Sequence, residues 1–223
     1  MSTQLQNAKQ LLYLQRLKAL GYTYHTLDIK KSVQKAHTYV SSFEELNHLV
    51  NDCQLCSLSK SRSCVVFGEG DSHAKVMFVG DAPGAKEDEL GRPFVGSSGE
   101  LLTQMIEKAI GISRQEVYVT NIVKCKPQGS NRPDKEEREK CLHFLEQQIA
   151  FIQPKLLVLL GEMSFETITQ NREPLNKVRG KLFEYKEVTV LPTYHPSYLL
   201  RNPSAKKEAY SDMLYIKQLL ETL

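Results

Sequence analysis

Four short apolar runs mark the central and C-terminal parts of the chain: KVMFVG at 75–80, EVYVTNIV at 116–123, KLLVLLG at 155–161 and EVTVLPTY at 187–194. Each is nearly continuous in Val, Leu, Ile or aromatic residues, the pattern of strands covered on both faces. Apolar residues at three- and four-residue intervals predict helices near 98–110, 134–152 and 162–170, and a last one near 203–222. Strand–helix alternation of this kind predicts an α/β domain built on a parallel sheet. Upstream, Leu11, Leu12, Leu14, Leu17 and Leu20 line one side of an expected helix over 6–20, and a polar connector over 21–40 has no strong pattern. A further helix is expected to begin within 41–51, where Ser42 and Glu45 have capping-box spacing. The expected organisation is a helical extension over 1–45 followed by an α/β domain over 46–223.

Composition narrows the class. A chain of 223 residues with 41% hydrophobic and 25% charged residues can bury a proper core. A formal charge of +3 permits an anionic partner without demanding one. No apolar run approaches the roughly 20 residues of a membrane span, and the charged N-terminal stretch lacks the apolar centre of a signal peptide. A cytoplasmic protein that does not engage membranes is expected, and a monomer.

In that setting the five cysteines are not expected to form structural disulfides. Cys53 and Cys56 form a C-x2-C pair, Cys125 and Cys141 follow, and Cys64 is left over. A C-x2-C pair alone suits a zinc site, a redox dithiol or an iron–sulfur site equally. Cys125 and Cys141 have a plainer alternative as small core residues. Cys141 falls on the apolar stripe of its helix with Leu142, Leu145, Ile149 and Ile152, and Cys125 is expected to end the second strand, in NIVKCK, where its side chain can reach a site at the sheet's edge.

The unusual segments all fall at the carboxyl ends of the predicted strands. GDAPG follows the first, TN and KCKP close the second, GE follows the third and TYHPSYLLRNP the fourth. Ligands of open α/β sheets bind at that edge. There the chain offers carboxylates at Asp81, Glu87, Asp88 and Glu89, an aromatic face at Phe94, an amide at Asn121 and an imidazole at His195. An amide that donates and accepts at once, beside a stacking ring, can read the edge of a nucleobase. The chain has no Walker loop, no G-x-G-x-x-G after the first strand, no G-x-S-x-G and no H-x-E…P-C-x-x-C. Those absences argue against kinase, dehydrogenase, hydrolase-elbow and deaminase chemistry.

Taken together, the cysteine set, GDAPGAKEDELGRPFVG, TNIVKCKP and HPSYLLRNP, with FGEG at 67–70, resemble the family-4 uracil-DNA glycosylases, the iron–sulfur class of that superfamily. The likeness spans about residues 50–221. It implies a three-layer α/β/α fold around a mostly parallel, four-stranded sheet, and an enzyme that flips uracil out of DNA and hydrolyses its N-glycosidic bond. Cys53, Cys56, Cys125 and Cys141 would hold a 4Fe–4S cluster. Phe94 would stack on the uracil, Asn121 would pair with its edge, and His195 would donate to the uracil oxygen. Gly80, Asp81, Ala82, Pro83 and Gly84 would form the water-bearing loop, with the Asp81 carboxylate near the sugar and the other carboxylates structuring the loop. Leu199, Leu200 and Arg201 would fill the space of the extruded nucleotide, with Ser97, Ser98 and Arg132 also on the DNA. The chain departs from the family where Asp81 replaces the usual glutamate, where PFVGSSG replaces PFVGRAG, so that Ser97 stands for an arginine, and where the loop after KC runs KPQGSNRPDKEE in place of RPPxNRxP, displacing Asn131 and Arg132. Two alternatives stay open: a DNA-binding homologue with little glycosylase activity, and a glycosylase for another deaminated base.

Overall fold

The computed structural model describes residues 40–129 and 132–222. The helix expected over 6–20 and all but the end of the connector lie outside the described residues. A sheet of six strands forms the centre: β1 (Glu69–Gly70), β2 (Val76–Gly80), β3 (Tyr118–Asn121), β4 (Leu156–Leu160), β5 (Phe183–Tyr185) and β6 (Val188–Thr193). Their spatial order is β1-β3-β2-β4-β6-β5. The four strands predicted from the apolar runs are the parallel centre, β3-β2-β4-β6. The expected strand count is corrected, because short antiparallel strands β1 and β5 are added at the two edges.

Both edge strands escape pattern reading for physical reasons. β1 is only two residues long, too short to show a period. β5 joins β6 through a two-residue turn whose central residues, Lys186 and Glu187, have φ of 47° and 67°. A tight hairpin needs that left-handed backbone, but it is ordinarily signalled by Asn-Gly or Asp-Gly rather than Lys-Glu.

The helices among the described residues are α1 (Phe43–Asn51), α2 (Ala85–Leu90), α3 (Ser97–Gln104), α4 (Lys135–Ile152), α5 (Glu162–Thr169), α6 (Leu175–Val178), α7 (Pro196–Arg201) and α8 (Lys206–Thr222). α3 continues as a π-helical turn over Met105–Ile110. Caps decide several starts. Ser42 accepts from the Glu45 backbone N–H at 3.0 Å, and Glu45 reaches back to the Ser41 backbone N–H at 2.7 Å. Asp134 and Glu137 form a full capping box at the start of α4, 2.8 Å one way and 3.0 Å the other.

Alternate residues of each strand point to opposite faces, and this builds the layers. Met77, Val79, Leu157 and Leu159 pack with Leu46 and Val50 of α1, Leu145 and Ile149 of α4, and Phe165 and Ile168 of α5. Val76, Phe78, Val158 and Leu160 pack on the other face with Leu102 of α3, Ile106 and Ile110 of the π-turn, and Met213 and Ile216 of α8. All five residues of β4 are fully buried. Each such side chain contributes about 1.5–3 kcal/mol. The result is an α/β/α sandwich. No helix among the described residues is long and apolar enough to cross a membrane.

Candidate active site and four-cysteine centre

The loops after β2, β4 and β6 line one cleft at the carboxyl edge of the sheet. Asp81, Ala82, Pro83 and Gly84 come from the first, Gly161 and Glu162 from the second, and His195, Ser197 and Arg201 from the third. Gly161, with φ of +103°, brings two of these together. A Cβ there would stand 3.3 Å from His195 Cβ and 3.6 Å from either Asp81 oxygen. Asp81 and His195 therefore share one wall of the cleft.

Gly80 ends β2 one residue earlier, and its missing side chain is filled by two of the expected base-binding groups. A Cβ there would come within 2.5 Å of Asn121 Oδ1 and 2.5 Å of Phe94 Cζ. Asn121 is 1% exposed, and its Oδ1 is the one buried side-chain polar atom among the described residues without a hydrogen-bond partner. An unmet acceptor of this kind costs about 1–3 kcal/mol. The Phe94 ring also lies 5.7 Å from the His195 ring, centroid to centroid. Phe94 and Asn121 are not among the residues lining the open cleft, and they adjoin it through Gly80 and His195.

Phe94 has φ of 53°, a left-handed backbone that costs a bulky residue energy unless its surroundings enforce it. Glu87 supplies the enforcement. Its Oε1 accepts from the backbone N–H groups of Val95 and Gly96, both at 2.9 Å, and its Oε2 accepts from Gly84 at 3.1 Å. One carboxylate thus ties the GDAPG loop to the Phe94 turn. Arg114 adds bonds to the Pro93 carbonyl at 2.8 Å and to Thr103 at 3.0 Å. Asp88 pins the Ser63 backbone N–H at 3.0 Å. These carboxylates structure the loop, and sequence patterning alone does not separate them from Asp81.

Burial sets the protonation of Asp81 and His195. It pushes Asp81 up to about 6, against a 3.0 Å hydrogen bond from the Ser164 backbone N–H in the first turn of α5. It pulls His195 down to about 4, and the positive charges of Arg201 and Arg132 add to the effect. Nδ1 of His195 accepts from the Ser197 backbone N–H at 3.1 Å. The neutral ring's single proton then sits on Nε2, and the imidazole is a donor there.

Arg132 and Arg201 are exposed at the rim of the cleft. In α7 the two expected wedge leucines part company. Leu199 is 1% exposed and packs with Tyr194 and Ala209, whereas Leu200 is 41% exposed. Leu199 is corrected to a core residue, since successive positions on a helix face different ways. Tyr198 lines the cleft and stacks on Tyr194 at 5.1 Å and 21°. Ser97 and Ser98 occupy the first turn of α3, outside the cleft lining.

The cysteines form a second centre. Cys53, Cys56, Cys125 and Cys141 line one small cavity with apolar Val50, Leu55 and Phe144 and the cationic side chains of Arg62, Lys124 and Lys140. Cys125 lies in the turn four residues beyond the end of β3, rather than at the strand's end. Arg62 donates to Cys125 Sγ at 3.3 Å and to the Cys53 carbonyl at 2.7 Å. Burial raises the thiols of Cys53 and Cys125, and that of Cys141 to about 12. Cys64 is outside this cavity, 3.8 Å from the Glu89 carbonyl. All five cysteines are free of disulfides. Among the described residues no three His, Cys, Asp or Glu side chains converge on the position of a single ion. Four soft donors in an apolar shell, with cations and an N–H aimed at sulfur, are chemistry that suits an iron–sulfur group.

A fold and edge site of this kind define a class, and a model of the uracil DNA glycosylase superfamily matches residues 67–217. The type-4 uracil-DNA glycosylase of Sulfurisphaera tokodaii is 41% identical over 191 residues, 82% of this chain and 87% of that one. That of Thermotoga maritima is 42% identical over 167 residues, 72% and 86% of the two chains. That of Archaeoglobus fulgidus is 36% identical over 188 residues, 81% and 94%. The chain belongs to the type-4 uracil-DNA glycosylases.

Proposed function

We propose that this protein is a DNA-repair enzyme that extrudes uracil from DNA and hydrolyses the bond between the base and its sugar, leaving an abasic site. The observation that carries the reading is the unpartnered Oδ1 of Asn121, buried beside the Phe94 ring and against Gly80. Uracil presents an N3–H donor next to an O4 acceptor, so the Asn121 amide would accept from one and donate to the other. Phe94 stacks on the base. The strained turn held by Glu87 keeps that ring in place before substrate arrives.

Bond cleavage sends the glycosidic electron pair onto the base and leaves a cationic sugar. His195 Nε2–H donates to the uracil oxygen where negative charge grows, and the Asp81 carboxylate stabilises the sugar or orients the attacking water. Water then adds its oxygen to the sugar carbon and releases a proton. One preorganised donor of this type is worth about 3–4 kcal/mol. A neutral histidine suits the task because it keeps its proton while the anion forms.

Outside the pocket, Arg132 and Arg201 meet phosphates, Leu200 enters the stack, and Ser97 and Ser98 offer the start of α3 to the backbone. Cys53, Cys56, Cys125 and Cys141 would hold a 4Fe–4S cluster, which would supply a structural cross-link between the segment after α1, the turn after β3 and α4. A reducing, cytoplasmic location would keep these thiols available to the cluster. Incubation with a uracil-containing oligonucleotide, followed by alkali, should yield strand cleavage at uracil and none at thymine in the same position. An intact uracil strand would refute the reading.

A further inference from the structure

Lys124, the residue before Cys125, is 1% exposed. Its Nζ donates to Thr120 Oγ1 at 2.6 Å, to the Asn121 carbonyl at 2.8 Å and to Gln148 Oε1 at 2.6 Å. Thr120 Oγ1 gives its own proton to the Phe67 carbonyl at 2.8 Å, so it can only accept from Lys124. The Gln148 amide nitrogen likewise donates to the Phe67 carbonyl and to Tyr118 Oη, which leaves Oε1 facing Lys124. Three acceptors call for three N–H groups, the number an ammonium has and a neutral amine lacks.

Burial works against that charge, since the side chain is almost wholly removed from water. None of its three hydrogen-bond partners is a carboxylate. A buried cation needs a counter-charge, and the side chain lines the same cavity as the four cysteines. A thiolate-held group is anionic and would provide it. The other end of the Lys124 network is the backbone of the residue whose amide reads the base.

We infer that Lys124 is a positioning residue that couples the four-cysteine centre to base recognition, with the thiolates balancing its charge and its ammonium fixing the Asn121 backbone. The inference rests on the proposed roles of Asn121 and of the cysteines. It makes the cysteine centre part of the apparatus that aims Asn121, beyond a cross-link between distant segments.

A double-mutant cycle with Lys124→Met and Asn121→Ala tests it, with single-turnover uracil excision at saturating DNA as one readout. Lys124→Met should slow excision about tenfold or more in the parent, and by less than about twofold once Asn121 is alanine. Affinity for a uracil-free oligonucleotide should stay within about twofold, because the DNA grip lies elsewhere. The second readout is independent of activity: visible absorbance and iron content should fall faster under chelator in Lys124→Met than in the parent. Thr120→Val removes one acceptor from outside the cavity and carries the same excision cycle should Lys124→Met fail to fold. Full additivity, or equal loss of excision and DNA affinity, overturns the positioning role. Unchanged chelator kinetics overturn the charge coupling. If Asn121→Ala alone leaves excision intact, the failure belongs to the reading of Asn121 instead.

Discussion

The backbone N–H of Ser197 donates to Nδ1 of His195 at 3.1 Å, and this bond commits the ring proton to Nε2. The helix that makes the bond is α7, for which His195 is the N-cap. A cap that serves the backbone therefore also sets the tautomer of the group proposed to receive the leaving base.

That arrangement predicts a specific loss. His195→Asn should lower the single-turnover rate by about 10²–10³-fold, the usual effect of removing one donor to a developing anion. Affinity for uracil-free DNA should hardly change. A stopped-flow or quench time course alongside an equilibrium binding titration checks both.

Asp81 should govern the acid side of the pH profile. With a pKa of about 6 it loses its charge as pH falls through 6, so excision should decline there. His195, at about 4, stays neutral over that range and adds no limb of its own above pH 5. Asp81→Asn should abolish the limb near pH 6 and lower the plateau about tenfold or more.

Stability should move the other way. Asp81 binds its proton more tightly folded than unfolded, so its contribution is full below 3.8 and lost as pH rises through about 6. His195 has the opposite sign: its contribution is full above 6.5 and lost as pH falls through about 4. At pH 8 Asp81→Asn removes a buried charge and should raise stability by about 1–3 kcal/mol. Melting curves at pH 8 and pH 5 should show the gain shrinking at the lower pH.

The two leucines of α7 should separate cleanly. Leu199→Ala should cost about 2–5 kcal/mol of stability and slow excision from every substrate alike. Leu200→Ala should leave the melting temperature near the parent's and slow excision from U·A more than from U·G, with single strands least affected, since extrusion costs most from a sound pair. Arg201→Ala should weaken binding to all three and flatten the salt dependence by about one charge.

The metal predictions follow from the cavity. Purified anaerobically, the protein should be brown and carry about four irons per chain. Cys141→Ser should lose colour and iron, and Cys64→Ser should keep both. Stoichiometric zinc without iron would assign the four thiolates to a different metal.

Much of this was legible in the sequence because it depends on pattern or residue type. The four parallel strands lie in nearly continuous apolar runs, and the candidate residues Asp81, Asn121 and His195 lie at or just beyond their carboxyl ends. What patterning missed depends on three-dimensional neighbours. Leu199 and Leu200 are identical in type and adjacent, and only the packing of α7 sends one inward. That Glu87 and Asp88 structure the loop is expected once the resemblance singles out Asp81, but which backbone N–H groups they hold is not legible in the sequence. The short helices α2 and α7 sit in segments whose glycines and prolines signal loops. Lys124 lies in a motif noted for its cysteine, and its burial has no signature in a chain of charged residues.

The central claim is that Asn121 reads the base, and Asn121→Asp tests it most directly. An ionised carboxylate accepts but cannot donate, so it loses the bond to uracil O4 and can accept from the cytosine amino group instead. The measurement is free base released from matched single-stranded oligonucleotides carrying uracil or cytosine at one position, by the parent and by Asn121→Asp. The parent should release uracil and no cytosine, and the variant should release uracil at least about tenfold more slowly, with its preference shifted toward cytosine. Release of uracil by Asn121→Asp at the parent's rate would contradict the account.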